Sequence, residues 1–96
     1  MSVYFVARIN IHDEAAYQRY LENCDDIFMK YNGEYLAVDE SPETLEGEMT
    51  EGRCVIIRFP DRASLNRWYS SAEYQSILPY RLKGADCQTI VVEGKS

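Results

Sequence analysis

Three residues stand out for chemistry: His12, Arg53 and Arg81. His12 is the single histidine, and imidazole is the side chain that changes charge near neutral pH without help. It lies where a first strand runs into a first helix, at an end of the sheet where a cleft can open. It suits a general base or a polar ligand contact; the simpler reading is an exposed loop histidine. Arginine grips a carboxylate through paired hydrogen bonds. Arg81 follows an aromatic segment and is the better candidate of the two arginines, the alternative being a salt bridge to one of the sixteen acidic residues. Around these fall Tyr17, Tyr20, Trp68, Tyr69 and Tyr74, large apolar bodies with one polar tip that suit a small organic ligand. Tyr17 and Tyr20 also lie on a helical stripe, so packing is their default role. No nucleophile–base pair, metal-ligand cluster or glycine-rich phosphate loop is present, and no cofactor is implied.

The elements that must position these residues are legible in the pattern. Val3 to Ile11 is rich in β-branched and aromatic residues and predicts a strand. Asp13 is a fitting N-cap for a helix whose Tyr17, Tyr20, Leu21, Cys24, Ile27, Phe28 and Tyr31 repeat at helical spacing. Asn32-Gly33 stops it, with Gly33 expected in the left-handed conformation. Glu34 to Asp39 predicts a short second strand. The acidic stretch 40–52 exceeds a tight hairpin loop and marks either a lid or an extra helical turn starting at Pro42. Arg53 to Phe59 predicts a third strand, apolar enough for burial on both faces. Pro60 ends it, and Asp61 caps a helix carrying Leu65, Trp68 and Tyr69. Ser70 to Glu73 matches the S-x-x-E capping box of a further helical segment, which Pro79 kinks or restarts and Gly84 closes. Cys87 to Glu93 predicts the last strand.

This order implies an α+β fold: a ferredoxin-like βαββαβ arrangement with a four-stranded antiparallel sheet and its helices on one face. Ninety-six residues fit one domain, 1–96. A net charge of −6, with no basic stripe, argues against nucleic acid and anionic membrane surfaces. No apolar run approaches the roughly 20 residues of a membrane span, and the N-terminus does not read as a signal peptide, so a cytoplasmic location is the default expectation. Cys24, Cys54 and Cys87 form no metal or redox motif and read as small buried hydrophobes.

Splitting the strands by alternation points to a partner. Phe5, Ala7, Ile9 and Ile11, with Val55, Ile57 and Phe59, form the helix-covered face. Tyr4, Val6, Arg8, Asn10, Cys54, Ile56 and Arg58 form the other, too apolar for an open antiparallel sheet and too polar for a dry core. Packing it against the same face of a second copy gives an isologous homodimer, in which Arg8 and Arg58 are expected to pair with acids across the interface.

Several local patterns also occur together: Asp13-Glu14-Ala15-Ala16-Tyr17 with Tyr20, then Tyr31-Asn32-Gly33, Leu45-Glu46-Gly47, Arg53 to Pro60, Trp68 to Gln75, Arg81, and Ile90 to Gly94. Together they resemble the domain-of-unknown-function family 1330 (DUF1330) of the dimeric α/β-barrel superfamily. The resemblance spans essentially the whole chain, and Trp68 to Gln75 is its most specific part. It implies a homodimer whose sheets close into a barrel, and it implies no particular activity. Relatives in the superfamily include cofactor-free monooxygenases, lactone isomerases and haem-binding members, so the fold alone does not select a reaction. Two functional readings follow. The chain either binds or transforms a small acidic or carbonyl molecule in a cleft between sheet and helices, or it is a non-catalytic dimerisation or regulatory module whose aromatics only pack. An enclosed cavity lined by Arg81 with Trp68 or Tyr74 would favour the first reading, and a solid core there would count against it.

Overall fold

The computed structural model describes residues 1–48 and 52–95, and its centre is the strand with the cleanest alternation, β1 (Val3–Ile11). Val3, Phe5, Ala7 and Ile9 are buried under the helices, while the residues between them stay half-buried. β1 pairs antiparallel with β3 (Arg53–Phe59) on one side and β4 (Ala85–Glu93) on the other. β2 (Glu34–Asp39) pairs antiparallel with the outer edge of β3, giving the order β2-β3-β1-β4. With α1 (Glu14–Lys30), α2 (Arg62–Ser70) and α3 (Ala72–Gly84), this is the ferredoxin-like arrangement expected from the element order, its second helical part divided in two.

Each helix begins where a side-chain oxygen satisfies an orphan backbone N–H. Ala16 N donates to Asp13 Oδ1 at 3.2 Å, and Ser64 N donates to Asp61 Oδ1 at 2.7 Å. The third cap differs by one residue from the expected capping box. Ser71 caps α3, its Oγ accepting from Tyr74 N at 3.0 Å and donating to Trp68 O at 2.8 Å. Glu73 instead pairs with Lys30 at 2.7 Å, fastening α3 to α1. Ser71 prevails because it can close the end of α2 and open α3 at once.

Three other expectations change in detail. Asn32, with φ of 68°, takes the left-handed position after α1. Gly33 is required for space, because a Cβ there would lie 2.7 Å from the Phe28 ring and 2.9 Å from Phe59. No helical turn forms at Pro42; Asp39 Oδ1 accepts from Ser41 N at 2.9 Å, a turn that competes with helix, and residues 49–51 lie outside the described part. Pro79 lies within a continuous α3. The missing N–H removes one helical hydrogen bond, but Ile77, Leu78 and Arg81 are packed on the core side and hold the helix across it.

β3 is buried on one face only: Val55, Ile57 and Phe59 are covered, whereas Cys54 and Ile56 are half-buried and Arg58 is exposed. β4 starts two residues earlier than expected, because Ala85 and Asp86 already pair with Ile11 and Asn10. Of the cysteines, Cys24 is buried and the other two are half-buried; all three are free. Where α3 meets β4, the Gly84 carbonyl accepts from His12 N and Asp13 N at 2.9 and 3.0 Å. A Cβ at Gly84 would lie 2.7 Å from Tyr17 N, so glycine lets the end of α3 press onto the start of α1. That contact brings Arg81 and Tyr17 into one neighbourhood.

Candidate functional site

The site lies between the helix-covered face of the sheet and the facing sides of α1 and α3. β1 and β3 supply an apolar floor of Phe5, Ala7, Ile9, Val55 and Ile57, and α1 supplies Tyr17, Tyr20 and Leu21. These walls enclose a cavity of about 20 Å³, room for about one water molecule. Arg53, Arg81 and Tyr35 complete the lining, and among the described residues no acidic side chain is part of it.

The two arginines carry the unusual feature. Arg81 is only 3% exposed, and its Nε and Nη1 have no hydrogen-bond acceptor among the described residues. Its guanidinium stands 5.8 Å from the centre of the Tyr20 ring and reaches the Cys87 thiol. Arg53 leans over the Tyr17 ring at 5.7 Å. Its Nη1 is 3.7 Å from the exposed Glu40 carboxylate, but its buried Nε has no acceptor among the described residues. Buried polar groups normally find partners, so two guanidiniums around one cavity with N–H groups unsatisfied among the described residues are an unusual feature.

The phenols are held in fixed places. Tyr20 and Tyr74 share a buried 2.8 Å hydrogen bond between their hydroxyls. Tyr35 donates to Asp25 at 2.7 Å. Burial drives Tyr17 up to about 12, against the opposing pull of Arg53. Burial is likewise the main cause that raises Tyr20, Tyr35 and Tyr74. Burial alone would lower Arg81, but the facing Tyr74 and Tyr20 oppose it and the net direction is upward; like any arginine it is charged at neutral pH. Burial and the neighbouring Asp25 push the Cys24 thiol up to about 12, which makes it a poor nucleophile.

The other candidates fall outside the cavity. Trp68 and Tyr74, at 1% and 0% exposure, pack ring to ring at 4.3 Å in a solid core. Of these two, only Tyr74 reaches toward the site, through Tyr20. Tyr69 is more than a third exposed and lines a separate shallow groove between α2 and β4 with Arg62 and Ile90. His12 is half exposed, its Nε2 3.7 Å from Asp86 Oδ1. The expected cavity at Trp68 or Tyr74 is therefore not there, a solid core taking its place; the small space beside Arg81 is walled by Tyr17, Tyr20 and Arg53 instead. Tyr35 was not singled out from sequence, although alternation on β2 places it on the helix side, opposite Ile57. Among the described residues no group of three or more His, Cys, Asp and Glu side chains could hold a metal ion, and no helix is long and apolar enough to cross a membrane.

A family model, the domain of unknown function DUF1330, matches residues 2–95. The chain belongs to that family. No curated protein matches it. Among solved structures, this DUF1330 chain is similar to a protein of unknown function from Rhodopseudomonas palustris, with TM-score 0.82 and 14% identity, covering 99% of this chain and 83% of the other. A dimeric ferredoxin-like protein of unknown function from Jannaschia sp. CCS1 aligns with TM-score 0.76 and 13% identity, covering 98% and 100%. SnoaB, a cofactor-independent oxygenase from Streptomyces nogalater, aligns with TM-score 0.67 and 13% identity, covering 99% and 94%. At these identities the likeness establishes the shared fold.

The raised phenols of this DUF1330 domain set its alkaline limit. A phenol whose folded pKa lies above its unfolded value of about 10 favours the folded state below that pH, and the stabilisation is lost as pH rises through the folded value. Stability is therefore expected to fall from about pH 10 upward. The Tyr17, Tyr20, Tyr35 and Tyr74 phenolates are expected to appear only with cooperative unfolding. Ultraviolet tyrosinate absorbance and circular dichroism, followed together, check this. All eight tyrosines ionising with native dichroism intact would refute it.

Proposed function

We propose that this chain acts as a homodimer that binds, and in its biological setting transforms or senses, a small acidic or carbonyl compound between the sheet and the helices. The observation that carries the ligand reading is Arg81: a charged side chain 3% exposed, with two nitrogens lacking acceptors and, among the described residues, a second arginine and no acid around its cavity. An internal salt bridge would have supplied a carboxylate there. Arg81 and Arg53 hold the anionic oxygen atoms in this reading, and Tyr17 and Tyr20 contact the ligand through ring faces and hydroxyls. Tyr74 positions Tyr20, while Trp68 and Tyr69 contribute packing. His12 has no part in it. The oxygenase activity of SnoaB belongs to that protein and adds only that this fold can host chemistry without a cofactor.

The homodimer is supported by the dimeric Jannaschia structure of the same fold and by the uncovered sheet face. Ile90 is 59% exposed there, with half-buried Val6 and Ile56 beside it. Arg58 does not wait for a partner's acid; it pairs with Glu34 of its own chain at 3.4 Å. The non-catalytic alternative draws on the solid packing of Trp68 and Tyr74, which gives those two rings a full structural role.

A thermal-shift screen of small organic acids tests the ligand reading, repeated on Arg81→Met. Hydrogen bonds to a charged group contribute about 1.5–3 kcal/mol, so the variant is expected to bind at least about tenfold more weakly. Because it also removes orphan buried N–H groups, the ligand-free variant is expected to melt no lower than the parent. An unchanged ligand response would remove Arg81 from the site. A large loss of ligand-free stability would give Arg81 a structural role instead.

A further inference from the structure

The inner cavity has a neighbour. A second, open groove of about 190 Å³ is lined by Ile11, Glu14, Tyr17, Gln18 and Leu21. Tyr17 and Leu21 belong to both spaces, so these two side chains are the only wall that the two linings have in common. The floor is continuous as well: Ile9 lines the inner cavity and Ile11 the outer groove, two residues apart on one face of β1, about 7 Å along the strand.

The chemistry changes along this path. Inside, among the described residues, are two guanidiniums and no acid. Outside are two aliphatic side chains, the neutral amide of Gln18 and a single acid, Glu14. The inner space, about 20 Å³, holds about one water-sized group, and the outer groove, about 190 Å³, is roughly tenfold larger. A group larger than one water, a carboxylate included, needs the buried Tyr17 ring to turn aside, and any further atoms must extend outward.

We infer that the ligand of the Arg53–Arg81 site is a monoanionic organic acid whose uncharged body lies along Ile11 and Leu21 in the outer groove, with Tyr17 as the gate between head and body. This rests on the anion site proposed above and specifies its substrate class. A second negative charge at the far end would be desolvated against aliphatic walls and would face Glu14. A neutral hydroxyl or carbonyl there can hydrogen-bond to Gln18.

Titration calorimetry at low ionic strength with three probes decides the matter: acetate as the head alone, hexanoate as head plus apolar body, and adipate as the same length with a second carboxylate. Each buried methylene strengthens binding severalfold, so hexanoate is expected to bind at least about tenfold tighter than acetate. It should also bind at least about tenfold tighter than adipate. Glu14→Gln, an exposed change in the first turn of α1, should narrow the gap between hexanoate and adipate. If acetate binds as well as hexanoate, or adipate as well as hexanoate, the anion site stands and the monoanionic class is overturned. If none of the three binds, the anion site itself falls and this inference falls with it.

Discussion

Ile56→Asp is expected to turn a dimer, twice the chain mass of 11.1 kDa, into a monomer at micromolar concentration. The register shows why this position is decisive. Ile90, Val6, Ile56 and Ala37 are successive partners across β4, β1, β3 and β2, so one apolar row crosses the whole sheet on the face without helices. The adjacent rows are more polar. Val92, Tyr4, Arg58 and Glu34 lie on one side, and Gln88, Arg8, Cys54 and Asp39 on the other. Such a face is a poor permanent surface for a monomer but suits an interface with an apolar centre and a polar surround.

An aspartate in the central row places a carboxylate where the interface is driest. An isologous contact repeats the change on both subunits. Desolvating an unpaired charge costs several kcal/mol each time. Within the monomer the same side chain is only half covered, so the fold should survive, which far-ultraviolet circular dichroism checks. Light scattering that finds the parent chain already monomeric, or the variant still dimeric, would refute an interface on this face.

The elements that follow local rules were legible from the residues. β1, α1 and β3 were readable because alternation, helical spacing and aspartate caps are properties of short stretches. The division of the sheet into two faces followed from the same rule and matches the buried set of Phe5, Ala7, Ile9, Val55, Ile57 and Phe59. The misses share a different cause, since each depended on a contact distant in sequence or on competition between adjacent residues. Ser71 displaced Ser70 as a cap because it also serves the end of α2. Gly33 was needed against Phe28 and Phe59, which no local pattern records. The candidate site divided along the same line. Arg81, Arg53, Tyr17 and Tyr20 were suspected singly from their types, but their meeting depends on Gly84 admitting the start of α1. Trp68 packs in the core and not at the cavity, a difference hidden in the residues because an aromatic near a cleft and one in a core look the same in sequence. Only its neighbours distinguish them.

Those neighbours make Trp68→Ala the substitution with the largest expected loss of stability. The indole is 1% exposed and is ringed by Tyr74 at 4.3 Å, Phe5 at 5.1 Å, Phe59 at 5.2 Å and Tyr69 at 5.8 Å between ring centres. The Phe5 contact is edge to face, at 77°, a favourable geometry for aromatic pairs. Truncating a buried Trp to alanine costs about 3–5 kcal/mol, because the surrounding rings only partly close the void. For a domain of this size each kcal/mol lowers the melting temperature by about 4–8 °C, so a fall of at least about 12 °C is expected. Trp68→Phe supplies the contrast. It keeps an aromatic face toward Tyr74 and Phe5 and removes the indole N–H, which has no acceptor among the described residues, so its loss should be less than half as large. Since Trp68 is the only tryptophan, unfolding of the variants must be followed by circular dichroism. Equal melting temperatures for the alanine and phenylalanine variants would show that the ring cluster does not hold the core together. An alanine variant that melts far lower yet still binds hexanoate when folded would place Trp68 in the scaffold and the ligand contacts on Arg53, Arg81 and the α1 tyrosines.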